Sequence, residues 1–167
     1  NVIGGGDWTK DRIVTDSISA FSKNKNLIIR YPEAIRPWQH VLEPLYGYIL
    51  LAQKIYQSEG KKYVGSWNFG PKTQNNKRVI DLVKKLKKDM KSKSKIRIVK
   101  EKKLLESKFL LLNSSKSSKL LKWKKYLSFN KTIELTVDWY NDYKQRKNMQ
   151  DTCKKQINYF MKLISKN

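Results

Sequence analysis

With 167 residues, 39% of them hydrophobic and 11% aromatic, the chain is long and apolar enough for one compact domain and too apolar for a disordered tail. A single cysteine, Cys153, excludes an internal disulfide and a thiolate-based metal cluster, and the lack of any 18-residue apolar run predicts no membrane span. The net charge of +23 invites a nucleic-acid reading, yet 31 of the 37 basic residues are lysine, whereas the planar fork that reads phosphates and base edges belongs to arginine. The expectation is a cytoplasmic protein with solvated lysine faces and no specific nucleic-acid partner.

In chain order, Asn1-Val2-Ile3-Gly4-Gly5-Gly6-Asp7-Trp8 reads as the end of a buried strand running into a glycine loop. Consecutive glycines allow positive φ and a close approach of backbone to a ligand. A strand at residue 1, without an initiator Met, predicts the C-terminal part of a larger α/β protein that opens at the wall of a binding site. Ile13, Val14, Ile18 and Phe21 then fall on one helical face, and Leu27-Ile28-Ile29 is a short strand ended by Tyr31-Pro32. An extended piece from Trp38 to Val41 leads into a helix starting near Glu43-Pro44, with proline accepted in the first turn. On it Leu45, Tyr48, Ile49, Ala52, Ile55 and Tyr56 keep the 3.6 period, which predicts a firmly packed face.

A strand is expected from Tyr63 to Gly70, closed by a Gly-Pro turn. Val79, Leu82, Val83, Leu86 and Met90 mark an amphipathic helix, and Ile96, Ile98 and Val99 an exposed strand. A charged loop, the apolar run Phe109 to Leu112 and a short helix from Ser115 to Trp123 follow. Ser128 or Asn130 caps a helix carrying Ile133, Leu135, Val137, Trp139 and Tyr140. A last helix from Met149 to Ile164 is expected, with Ile157, Phe160, Met161 and Ile164 on one side. The fold class is mixed α/β, with residues 1–145 as one unit and 146–167 as a helical tail.

The chemistry-bearing residues are few. His40 is the lone histidine, insufficient for a metal site or a triad, and reads as a polar residue on an edge strand. No dinucleotide glycine fingerprint follows a strand, and Tyr140 with Lys144 lies on a C-terminal helix that does not suit a catalytic pair. What the residues do offer is an anion site. Arg12, Arg30 and Arg36 are three of only six arginines and stand at element ends, where a planar fork suits a diphosphate. Asn1 ends the first strand, and Asn68 ends another just before a glycine, each placing an amide where a ligand could meet it.

These segments in this order resemble the CDP-glucose 4,6-dehydratase family of extended short-chain dehydrogenases/reductases. The resemblance rests on Asn1 to Trp8, Asp11-Arg12-Ile13 with Asp16, Ile35-Arg36-Pro37-Trp38-Gln39-His40-Val41-Leu42-Glu43-Pro44-Leu45, and Trp67-Asn68-Phe69-Gly70-Pro71. It extends through Ser115-Lys116, Leu121-Lys122-Trp123 and Thr136-Val137-Asp138-Trp139-Tyr140 and weakens beyond about Tyr143. It implies the C-terminal part of a Rossmann-type enzyme in which bound NAD serves the loss of water from a CDP-sugar, yielding CDP-4-keto-6-deoxyglucose. It further implies that the cofactor site and the catalytic Tyr-x-x-x-Lys pair lie in other sequence, so that this chain alone turns nothing over. Asn1 would contact the substrate and Arg36 would hold its diphosphate, Arg12 and Arg30 would flank the nucleotide, Asn68 is a further candidate, and the intact protein would be a homodimer. The chain departs from the family at Thr15, Tyr31, Leu105-Glu106 and Asn113. Two other readings stand beside this one: a different nucleotide-sugar dehydratase or epimerase, and a basic binding module using residues 84–125.

Overall fold

Among the described residues the strands form three short pairs in place of one continuous sheet. The computed structural model describes residues 1–58, 62–71, 76–99 and 107–166. Strand β1 (Val2–Ile3) runs parallel to β4 (Gln39–His40), β2 (Leu27–Ile29) runs parallel to β6 (Ile96–Ile98), and β3 (Ile35–Arg36) is antiparallel to β5 (Lys77–Arg78). Among the described residues six helices accompany them: α1 (Ile13–Ser22), α2 (Leu42–Gln57), α3 (Val79–Asp89), α4 (Ser115–Leu121), α5 (Phe129–Lys144) and α6 (Met149–Ser165). No helix among the described residues is long and apolar enough to cross a membrane.

The main core lies where α1, α3 and α5 meet β2 and β4. Val14, Ile18 and Phe21 enter it from α1, Leu82, Val83 and Leu86 from α3, and Ile133, Val137 and Tyr140 from α5. Each such aliphatic side chain contributes roughly 1.5–3 kcal/mol on burial. The apolar spacing of α3 leaves its lysines outside, and Lys85 there pairs with Asp89 one turn on. Helix α5 starts as its sequence predicts, with the Ser128 hydroxyl accepting from the Lys131 amide at 3.2 Å.

Smaller clusters tie on the remaining helices. Phe69, Leu121 and Trp123 pack with Tyr46, Leu50 and Leu51, while Leu127, Leu135 and Phe160 join α5 to α6. Glu43 is fully buried at the junction between these clusters. Its carboxylate accepts from the Leu127 amide at 2.6 Å and the Tyr126 amide at 3.0 Å, and its carbonyl accepts from Trp123 Nε1 at 3.1 Å. Burial nevertheless pushes the Glu43 carboxyl up to about 7, the two amides and nearby Lys125 opposing that shift only in part.

Four expectations are corrected or refined. On α2 the buried residues are Glu43, Pro44 and Gly47, while Leu45, Tyr48, Ile49 and Tyr56 are exposed. The helix leans on its glycine side because only a residue without Cβ admits the Phe69 ring against Gly47. Residues 63–70 form no strand: Trp67 Nε1 donates to the Tyr63 carbonyl and Ser117 Oγ to the Asn68 carbonyl, so α4 and local turns satisfy this backbone. On α6 the inward positions are Thr152, Gln156 and Phe160, with Ile157 and Met161 exposed, because Gln156 reaches the Leu135 carbonyl of α5 at 2.7 Å. His40 does stand on a strand with a single partner among the described residues, β1, but it is buried there, only 1% exposed, rather than open to solvent.

The departures at Thr15, Tyr31 and Asn113 have local explanations. Thr15 Oγ1 donates to the Thr9 or the Arg12 carbonyl and so joins the loop to the start of α1. Tyr31 packs partly buried against the main core, and the Asn113 side chain accepts from the Ser115 amide at the head of α4. Leu105 and Glu106 lie outside the described residues.

Candidate functional site: an arginine-lined cleft

The β1–α1 loop, the first turn of α1, the end of β2 and strand β3 enclose a cleft of about 1020 Å³. Asn1, Arg12, Arg30 and Arg36 all line it. Asn1 is held there by the parallel pairing of β1 with β4: its backbone nitrogen donates to the Pro37 carbonyl at 2.7 Å, and its carbonyl accepts from the Gln39 amide at 3.0 Å. That pairing brings residue 1 beside Arg36, which ends β3 and is only 7% exposed. The Arg36 guanidinium donates to the Ile35 carbonyl at 2.9 Å, and Trp38 Nε1 closes the corner by donating to the Lys77 carbonyl at 2.9 Å.

Arg12 stands in extended conformation immediately before α1, its guanidinium 3.3 Å from the Asp7 carboxylate, and Arg30 is exposed just beyond β2. Three carboxylates share the wall, Asp7, Asp11 and Asp16, which the sequence had not singled out as site residues. Amide donation from Thr9 holds the Asp7 carboxyl below its usual range, with Arg12 assisting. Burial raises Asp16, neighbouring Asp11 adds to the rise, and Arg30 offsets part of it. Asn68 is not among the cleft residues: its side-chain amide donates to the Asn113 carbonyl at 3.4 Å, on the α4 side of the molecule.

The glycine loop uses its freedom mainly within the protein. Gly6 has φ 81°, and the space a side chain would need at Gly5 is filled by the Trp139 ring of α5, that at Gly4 by Val41. Gly5 and Gly4 therefore do not fit the role of a cradle for a dinucleotide pyrophosphate. His40 also serves the interior. Its Nδ1 accepts from the Leu42 amide at 3.4 Å, its Nε2 is buried with no hydrogen-bond partner among the described residues, and burial lowers it to about 4. The imidazole is thus neutral at neutral pH.

Chemically, the cleft can grip an extended anion. The Arg36 fork is already desolvated and oriented by its strand, so a diphosphate oxygen would gain a strong charge-assisted contact. The carboxylates opposite could accept from hydroxyl or amine groups on the same ligand.

The mixed α/β architecture is the fold of the C-terminal part of Rossmann-type epimerases and dehydratases. The structure superposes on UDP-glucuronic acid 4-epimerase of Bacillus cereus with a TM-score of 0.71, at 20% identity over 86% of this chain and 43% of that one. It superposes on dTDP-glucose 4,6-dehydratase of Bacillus anthracis, solved with NAD, with a TM-score of 0.68, at 19% identity over 85% and 42% of the two chains. By sequence the chain is similar to CDP-glucose 4,6-dehydratase of Salmonella typhimurium, with 38% identity over 161 residues, 96% of this chain. It spans 45% of that relative's length. No protein-family model matches the sequence.

Proposed function

We propose that the chain forms the nucleotide-sugar-binding wall of a lyase that converts CDP-glucose to CDP-4-keto-6-deoxyglucose. The observation that carries the reading is the convergence of Asn1, Arg12, Arg30 and Arg36 on one cleft, in a chain homologous to a CDP-glucose 4,6-dehydratase. In this reading Arg36 holds the diphosphate, Asn1 faces the sugar, and Arg12 and Arg30 flank the nucleotide. NAD is bound by residues other than these, as are the groups that move protons, and the 167-residue chain on its own turns over no substrate.

The test is turnover of CDP-glucose by the gene product that carries these residues, followed by the absorbance of the 4-keto sugar. Arg36→Gln replaces a buried charge-assisted contact by a neutral one, so kcat/KM should fall about 10- to 100-fold, corresponding to about 1.5–3 kcal/mol. Turnover of a UDP- or dTDP-sugar with none of CDP-glucose would replace the CDP reading by that of another dehydratase or epimerase. An Arg36→Gln variant with unchanged KM and kcat would remove the cleft from the mechanism.

A further inference from the structure

Arg12, an exposed arginine of the cleft, is held by a chain of contacts that begins far away in sequence, on α5. Tyr140 is 4% exposed, and its hydroxyl donates across 133 residues of sequence to the Asp7 carbonyl at 2.6 Å. One oxygen of the Asp7 carboxylate accepts from the Thr9 amide at 3.0 Å, which turns the other toward Arg12 Nη1 at 3.3 Å. Trp8, next to Asp7, packs its ring edge-on to Tyr140 with centroids 5.2 Å apart and lies 4.9 Å from Tyr143. The Trp139 ring fills the space over Gly5. Helix α5 thus grips the loop at three successive points, Gly5, Asp7 and Trp8.

The ion pair at the end of this chain is solvent-exposed, with Arg12 and Asp7 side chains 63% and 37% accessible. Such pairs add little to stability. A buried hydroxyl and an aromatic clamp supporting a weak pair make sense as a way of aiming the guanidinium. A long arginine side chain at a rim otherwise samples many rotamers, and ordering it on binding weakens affinity.

We propose that Tyr140 and Asp7 are positioning residues for ligand binding: Tyr140 fixes the Asp7 backbone, and the Asp7 carboxylate sets Arg12 toward the nucleotide of the anionic ligand. This rests on the proposal that the cleft binds a nucleotide diphosphate sugar. Two variants separate positioning from simple charge and from simple stability. Asp7→Asn removes a negative charge from the cleft wall, so charge alone predicts tighter binding of an anion, whereas positioning predicts weaker binding. Tyr140→Phe removes only the oxygen that donates to Asp7 and keeps the ring in the core.

The experiment is a calorimetric titration of CDP-glucose into the gene product carrying this chain, with each variant made alone and on an Arg12→Gln background. Loss of one orienting hydrogen bond should weaken binding about five-fold in Tyr140→Phe and in Asp7→Asn. On the Arg12→Gln background both changes should have no effect, because the residue they aim is gone. Equal losses on both backgrounds would mean a structural role and overturn the inference, as would tighter binding by Asp7→Asn or unaltered binding by Tyr140→Phe. If the unaltered protein fails to bind CDP-glucose at all, the functional reading falls and this inference with it. Binding of CDP-glucose by the unaltered protein that is no weaker in either Tyr140→Phe or Asp7→Asn sinks the inference alone.

Discussion

Glu43 carries its carboxylate into a site with no solvent contact, where burial outweighs two amide donors and Lys125. Its folded-state pKa of about 7 lies above the ordinary 4.5, so between those values the folded protein holds a proton that the unfolded chain has released. The stability this group contributes is therefore complete below about 4.5 and lost as pH rises toward 7. Against Glu43→Gln, which is neutral throughout, the wild-type protein should lose about 3 kcal/mol of relative stability across that window. Thermal melts at half-unit pH steps check this; a wild-type advantage that grows with pH would show that the amides and Lys125 hold the charged form. His40 acts in the opposite sense, because a folded pKa of about 4 against 6.5 favours unfolding as pH falls between those values. At this scale the sequence was readable where charge type and element ends coincided. Arg12, Arg30 and Arg36 stood out because arginine is rare here, and they share the cleft with Asn1. Asn68 had the same kind of local signal and lies elsewhere, because being next to a glycine turn says nothing about which side of the molecule the turn occupies.

Helix boundaries followed closely from periodicity and capping, since both are properties of neighbouring residues; α1, α3 and α5 match their apolar spacing almost to the residue. Which face of a helix is buried was less legible. Helix α2 shows a clear apolar stripe at Leu45, Tyr48, Ile49 and Ala52, but the contact it makes within this chain is set by Gly47 against Phe69. Here lies a prediction of unusual sign. Gly→Ala inside a helix ordinarily stabilises by about 1 kcal/mol. At Gly47 the added methyl would overlap the Phe69 ring, itself 6% exposed, so Gly47→Ala should destabilise by about 1–3 kcal/mol in denaturant unfolding. A stabilised Gly47→Ala protein would show that α2 and the Phe69 segment do not pack in this way. The stretch from Tyr63 to Gly70 reads as a strand by composition, and it fails to become one because its backbone groups are taken up by Ser114, Ser117 and local turns.

For the molecule as a whole, the three strand pairs are each only two or three residues long, and the apolar stripe of α2 lies open, with Ile49 66% and Tyr56 89% exposed. Contiguous apolar surface of this kind binds other apolar surface. The 167-residue chain should therefore be poorly soluble despite its charge of +23 and should take up a hydrophobic dye before it unfolds. A sharp thermal transition with no dye uptake below it would contradict this. The sequence by itself determined the helices, their order, the mixed α/β class and the arginines worth watching, because helix periodicity, caps and residue rarity act over a few positions along the chain. Only the tertiary structure decided that Asn1 meets the Arg36 strand, that Trp139 fills the space over Gly5, and that a tyrosine hydroxyl on α5 steadies the loop bearing Asp7. Those contacts join residues 36 to 134 positions apart, and a hydrogen bond or ring contact at that separation leaves no trace in local spacing.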